Sequence, residues 1–253
     1  MKNNLKKRSD SSELSLAKFA PPISFKTCME ALVVETLRTA ITNGAFYPGQ
    51  EIDETAIAKD LGISRMPLRQ AIPILEHEGL ITKIPRKGIF ITKLDNHDIE
   101  EIYTTRVALE EVVMKAAIPC YCQDDLTKIK DNITKLEAYI NTSENIPEKE
   151  AYLFFLEIDK EFHNLLYKPS GWNRATKYIS QLRNNTAMYR LLCASFPREK
   201  QRKSLNDHKN IVNSCVEKDV EMACKLLREH TLTTAPLEEL SLITEINNKK
   251  ITN

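Results

Sequence analysis

Glycine is scarce in this chain, 6 residues in 253, and tryptophan occurs once. So few residues tolerate left-handed backbone, and apolar residues recur so regularly at helical spacing, that a mainly helical protein is expected. No apolar run approaches the ~18 residues of a membrane-spanning helix, so no membrane partner is expected. The six cysteines, at 28, 120, 122, 193, 215 and 224, lack the paired C-x2-C spacing of a zinc framework. No secretory segment precedes them, so reduced thiols in a cytoplasmic protein are expected. Cys120 and Cys122, beside Pro119, read as small buried residues at a helix junction. A strong net charge is lacking too, with 36 basic residues against 35 acidic ones. That balance hides an asymmetry. Residues 1–94 hold 14 Lys/Arg against 10 Asp/Glu, whereas residues 95–253 hold 22 against 25. A basic first part and a slightly acidic second part suit a DNA-binding domain joined to a domain with another task.

Residues 1–22 are polar, begin with a basic cluster and end in Pro21-Pro22, the composition of a flexible arm. Ser24 is placed to cap a helix through about Asn43, with Cys28, Leu32, Leu37 and Ile41 on its apolar side and Asn43-Gly44 ending it. Asp53 can cap a short helix carrying Ala56, Ile57 and Leu61. Gly62 breaks it, and Ser64 caps a second helix to about Glu78. Two short helices joined by a glycine turn form a helix-turn-helix. Arg65 opens the second helix and Arg69 follows one turn later, while Leu68, Ile72 and Leu75 face a core. An arginine fork so placed fits guanine O6 and N7 in the major groove. Residues 80–92, "LITKIPRKGIFIT", are two β-type runs around a basic tip that holds Lys87 and Gly88, the pattern of a wing. Residues 23–94 are thus expected to form a winged helix-turn-helix domain. Pro73 stands within the second helix, where it removes a hydrogen bond to the Arg69 carbonyl and is expected to kink the axis beyond the DNA-facing turn.

Residues 95–233 read as an antiparallel all-helical bundle, and 234–253 as a polar tail. Asp95 or Asn96 can cap a helix carrying Ile99, Ile102, Val107, Leu109 and Val113. Further helical patterns fall at about 123–141, 148–168, 173–195, 203–216 and 219–233. Asp159 and His163 are spaced i,i+4, so they leave one helix face a turn apart. His208 and His230 lie in two further helical patterns. A lone Asp-x3-His pair ordinarily serves a surface or a cap. A carboxylate and three imidazoles from three helices, meeting inside a bundle, would instead hold a divalent metal.

The text "L-G-I-S-R-x-P-x-R-x-A-I-x-x-L-E-x-E-G-L-I", over roughly residues 27–94, resembles the N-terminal domain of the GntR family of bacterial transcription regulators. The resemblance implies operator contacts from Arg65 and Arg69, a phosphate contact from Ser64, and a minor-groove position for Gly88 in the wing beside Lys87. The chain departs from the family in having Met66 where Thr or Ser is usual, Gln70 where Glu is usual, and Pro73. From about Ile99 to His230 the chain resembles the FCD effector domain of the FadR branch. The carrying elements are Arg106 with Glu110, "D-x-x-x-H-x-x-L" at 159–166, Ser170-Gly171, and the motif from His208 to His230. That resemblance implies one divalent transition metal per chain on Asp159, His163, His208 and His230, zinc first, with nickel, manganese or iron as alternatives. It also implies a small carboxylate or sugar-acid effector on the metal's open positions. Arg106, Asn164, Arg183 and Arg190 are candidates to bind it.

The expected function is that of a homodimeric regulator, a repressor of a palindromic double-stranded operator, released by its effector. Two alternatives are a metal-dependent enzyme and a regulator whose metal is purely structural. Against the enzyme, Glu157 and Glu161 sit on other helix faces than Asp159 and His163, leaving no evident general base.

Overall fold

A computed structural model describes residues 16–19, 29–143, 146–192 and 198–236. The chain divides into two compact units, one ending at Lys93 and one beginning at Leu94.

The first unit is built on three helices and a hairpin: α1 (Met29–Thr42), α2 (Glu54–Asp60), α3 (Arg65–His77), β1 (Ile81–Ile84) and β2 (Gly88–Ile91). Apolar spacing explains the packing, since Val33, Val34, Leu37, Ala40 and Ile41 of α1 are buried, as are Leu68, Ala71, Ile72 and Leu75 of α3. Asp53 caps α2, its carboxylate accepting from the Thr55 and Ala56 amides. The buried residues of α2 are Ile57 and Ala58, with Ala56 exposed, so the apolar face is rotated from the expected one. At the end of α2 the Gly62 and Ile63 amides bond back to the Lys59 and Ala58 carbonyls while Gly62 adopts φ 66°. A side chain at that left-handed residue would be strained, which is why glycine makes the turn between the two helices. Ser64 occupies the N-cap of α3, yet its hydroxyl makes no capping hydrogen bond. The helix continues through Pro73 to His77 as one element. The hairpin is antiparallel, pairing Ile81 with Ile91 through to Ile84 with Gly88, and Arg86 in its tip is left-handed at φ 64°. Of the arm expected over 1–22, only residues 16–19 are among those described. Leu16 opens a 3-10 turn (Leu16–Phe19), is buried, and donates its amide to Asp60 Oδ2 at 2.5 Å. Ser24, Cys28 and Cys193 lie outside the described residues.

The second unit contains α4 (Asn96–Ala117), α5 (Gln123–Thr142), α6 (Glu148–Tyr167), α7 (Asn173–Leu192), α8 (Arg198–Val216) and α9 (Val220–Thr233). Asp95 and Asp98 form a reciprocal capping box that starts α4. Helix α8 begins at Arg198 rather than near 203. Its first turn is polar and so carries no apolar periodicity, but Arg198 Nη1 donates to the Ile140 carbonyl at 2.9 Å and ties it down. The reading of Cys120 and Cys122 as buried is corrected, because both are exposed. Cys122 is the N-cap of α5, where its amide and thiol donate to Asp125 Oδ2 at 3.1 and 3.0 Å, a polar task that needs no burial. The core is filled by Ile129, Leu136, Phe162, Leu166, Ile211 and Leu227, and it surrounds the inward faces of α6, α8 and α9. Among the described residues no helix is long and apolar enough to cross a membrane.

Candidate functional site

Helix α6 presents Asp159 and His163 one turn apart on its buried face, α8 presents His208 and α9 presents His230. All four are buried, and one donor atom from each lies within 4.8 Å of every other. Asp159 Oδ1 stands 3.4 Å from His208 Nε2 and 3.7 Å from His163 Nε2, and the Nε2 atoms of His208 and His230 are 3.3 Å apart. Metal–ligand lengths of about 2.0–2.2 Å place donors within roughly 4.4 Å of one another, so these spacings suit a shared cation.

The remaining polar atoms set the tautomers. His230 Nδ1 faces Asp207 Oδ2 at 3.3 Å, and an ionised carboxylate only accepts, so the ring proton belongs on Nδ1 and the Nε2 lone pair faces the cluster. His163 Nδ1 lies 3.0 Å from the Tyr167 hydroxyl. Phe162 stacks on the His208 ring at 3.7 Å between centroids and fixes its plane. Asp159 Oδ2 is taken by α7, accepting from Arg183 Nη2 at 2.9 Å with Arg190 Nη1 at 3.7 Å.

Electrostatics agree with a site held ready for a cation. Burial opposes charge on Asp159, but the His208 hydrogen bond, Arg183 and His163 overcome it and hold the carboxyl well below the usual carboxylate range. Burial, aided by Arg183, holds His163 well below the ordinary imidazole value. Burial also takes His208 down to about 4 against the pull of Asp159. His163 and His208 therefore meet Asp159 as neutral rings, the form a metal needs, and not as ion pairs.

The arginines divide. Arg183 and Arg190 adjoin the cluster through Asp159, whereas Arg106 on α4 donates from Nε to Glu110 Oε1 at 2.7 Å, both residues being buried. Arg106 Nη1, Arg183 Nη1 and Arg190 Nε are buried without a partner among the described residues. Asn164 is not with them. It is exposed and lines an outer cleft with Tyr167, Lys168 and Trp172, because it is one residue, about 100° of helix, away from His163. Among the buried tyrosines, Tyr103 of α4 donates to the Thr234 carbonyl and Tyr189 of α7 accepts from the Leu94 amide. Sequence reasoning missed Tyr167, Asp207 and Phe162. Tyr167 follows His163 at i+4 on the same face, so spacing alone could have found it.

In the first unit, Arg65 and Arg69 are exposed on the first turns of α3, and Arg69 Nε lies 3.2 Å from Glu54 Oε2. A cleft of about 650 Å³ separates this edge from the hairpin, lined by Glu54, Arg65, Lys83, Arg86 and Gly88 among others. A Cβ on Gly88, at φ 128°, would meet Glu51 Oε1 at 3.0 Å. Glu51 is exposed and its carboxylate can swing aside, so it is the backbone angle that calls for glycine there.

Residues 30–91 match the profile of the bacterial regulatory proteins of the gntR family, and residues 101–233 match that of the FCD domain. The chain belongs to the GntR family of DNA-binding transcription regulators, in the branch that carries a C-terminal FCD domain. Among its relatives is the uncharacterized HTH-type transcriptional regulator YdhC of Bacillus subtilis (strain 168), 29% identical over 196 residues, 78% of this chain and 83% of that protein. The gluconate operon transcriptional repressor of the same organism is 26% identical over 153 residues, 60% of this chain and 58% of the repressor. The solved structure of E. coli McbR/YncC matches with a TM-score of 0.72 at 19% identity, over 86% of this chain and 99% of that one, a likeness of fold. The family is one of regulators, so the metal-dependent enzyme is set aside.

Proposed function

We propose that this regulator is a homodimeric repressor of a palindromic operator, and that a small carboxylate or sugar acid bound beside a divalent metal in the helical unit relieves it. The observation that carries the reading is the convergence of Asp159 Oδ1 with three histidine nitrogens in a buried site flanked by partnerless guanidinium N–H groups. Asp159, His163, His208 and His230 would hold the metal. Nitrogen and oxygen donors put zinc first, with nickel, manganese and iron as the alternatives. When bound, a divalent metal supplies an anchoring charge for a carboxylate oxygen. Arg183, Arg190 and Arg106 carry the N–H groups suited to a second carboxylate, since a buried unpaired donor is costly and a ligand acceptor would relieve it. Asn164, on the outer face, is left out of that set.

On the DNA side, Arg65 and Arg69 would read base edges, with Ser64, Lys87 and Gly88 at the backbone and minor groove. The uncapped Ser64 hydroxyl supports this, being free of the helix it precedes. Relief requires that the acid bind the two arrangements of the dimer with different affinity.

Selection of bound duplexes from a random library tests the DNA half. Enrichment of an inverted repeat is expected, and enrichment of a single unpaired half-site would reject the palindrome. Thermal melts with a panel of dicarboxylates and sugar acids test the other half. At least one acid should raise the melting temperature of zinc-loaded protein and do nothing after chelation. A response that survives chelation would leave the metal a structural role only.

A further inference from the structure

Helix α3 shows solvent more than its two arginines. Arg65, Met66, Arg69, Gln70 and Pro73 are exposed, whereas Leu68, Ala71, Ile72 and Leu75 are buried. At about 100° of rotation per residue, the exposed side chains fan over an arc of about 140° in the order Arg65, Arg69, Pro73, Met66, Gln70. One edge of that arc is engaged by its own unit. Arg65 lines the cleft against the hairpin, and Arg69 Nε lies 3.2 Å from Glu54 Oε2 of α2. The other edge is Met66 with Gln70 one turn later, and neither of them lines that cleft. Met66 is 67% exposed, so its thioether adds nothing to the core. At the second position of a helix it neither caps the end nor balances the dipole. The first turn of α3 holds no acidic residue, and Gln70 is neutral, so this edge brings no negative charge to a phosphate backbone.

The N-terminal turns of a recognition helix are those that reach base edges in the major groove. What this edge offers there is a primary amide and an apolar tip. The amide pairs twice with adenine, its NH2 donating to N7 and its carbonyl accepting from the N6 amino group. The flexible methionine side chain has no proton to donate to a base, and the group in the groove suited to it is the thymine C5-methyl. One helix turn advances about 5.4 Å and one base step about 3.4 Å, so the two side chains reach base pairs no more than about two steps apart. We propose that Met66 and Gln70 are specificity-determining residues, an edge of α3 that reads A·T beside the edge that carries the arginines. Gln70 reads an adenine through N6 and N7, and Met66 reads a nearby thymine through its methyl group. The inference rests on the operator reading above.

The test uses the full chain and the duplex that selection from a random library yields. Each thymine of a half-site is replaced in turn by deoxyuridine, which lacks only the methyl group. Each adenine is replaced by 7-deazaadenine, which keeps its pairing and lacks only the N7 acceptor. Binding is read by fluorescence anisotropy for wild type, Met66→Ser and Gln70→Ala. In wild type one thymine per half-site should be sensitive, its deoxyuridine weakening binding about fourfold, the worth of one buried methyl. One adenine within about two steps of it should be sensitive as well, its analogue weakening binding about fivefold. Met66→Ser should abolish the first sensitivity and keep the second, and Gln70→Ala should do the reverse. The wild-type arms need neither variant, so the inference can fail even where a variant does not fold. Absence of either sensitivity in wild type overturns it and leaves the operator reading in place. Variants that weaken every duplex equally, as loss of a phosphate contact would, overturn it too. If selection enriches no sequence at all, the operator reading fails and the inference with it.

Discussion

The two units hold similar charged side chains in opposite surroundings. In the winged unit Arg65, Arg69, Arg86 and Lys87 stand in water, and the pair between Arg69 and Glu54 is solvent-exposed. In the helical unit Arg106, Glu110, Asp159 and Arg183 are buried, each against an opposite charge. An exposed arginine costs little to keep and adds little to stability, so it is free to meet a polyanion. A buried one must be compensated by an opposite charge. One residue type thus stands on an exposed face of one unit and in a buried, charge-compensated cluster of the other.

Removing one partner should separate the units most sharply. Arg106→Ala strips the counter-charge from buried Glu110 and is expected to destabilise the helical unit by about 3–5 kcal/mol. Urea melts followed by the single tryptophan, Trp172, report that unit alone. A loss below about 1 kcal/mol, the size of an exposed pair, would erase the contrast. Acid should act on the same unit. The folded-state value of His208 is about 4, below its unfolded value of about 6.5. The folded protein then binds fewer protons than the unfolded chain between those values, so stability is lost as pH falls through that window. In chelated protein the Trp172 transition should move to lower urea between about pH 6.5 and pH 4. A flat profile would mean that the imidazoles are not held neutral.

On the winged side the effects are smaller and of another kind. Pro73→Ala restores a donor to the Arg69 carbonyl inside α3 and should gain up to about 3 kcal/mol, read as slower amide exchange along that helix. Faster exchange would show that the neighbours require the proline. Arg69→Ala should weaken specific DNA binding by about 1–3 kcal/mol and change stability by less than about 0.5 kcal/mol. A variant that loses stability but keeps its base preference would reverse the roles given to exposed and buried arginines.

Much of this was legible in sequence where the signal is local. Asp53 as a cap, Gly62 as the break, Leu68, Ile72 and Leu75 as a buried stripe and the hairpin around Arg86 all follow from spacing and turn chemistry. The i,i+4 relation of Asp159 and His163 was equally local. What was not legible depends on which helices meet. Asp207 is adjacent to His208 in sequence, yet it serves His230 across the bundle. Arg183 and Arg190 read as candidates for an acid, and their first partner proved to be Asp159. Cys122 shows the reverse case, in which a residue read by its apolar character is placed by a capping role. Leu16 shows a third, a single apolar side chain that packs although its surroundings are those of a free arm.

The central claim is that Asp159, His163, His208 and His230 hold a divalent metal on which an acid binds. The most direct measurement is elemental analysis of protein purified without chelator, paired with calorimetric zinc titration of chelated wild type and His208→Ala. The account predicts close to one metal per chain, a single strong zinc site in wild type, and at least a hundredfold loss of affinity in the variant, with its winged unit still folded. A metal content near zero that is not restored by zinc, nickel or manganese, or a variant that binds zinc as wild type does, would contradict it.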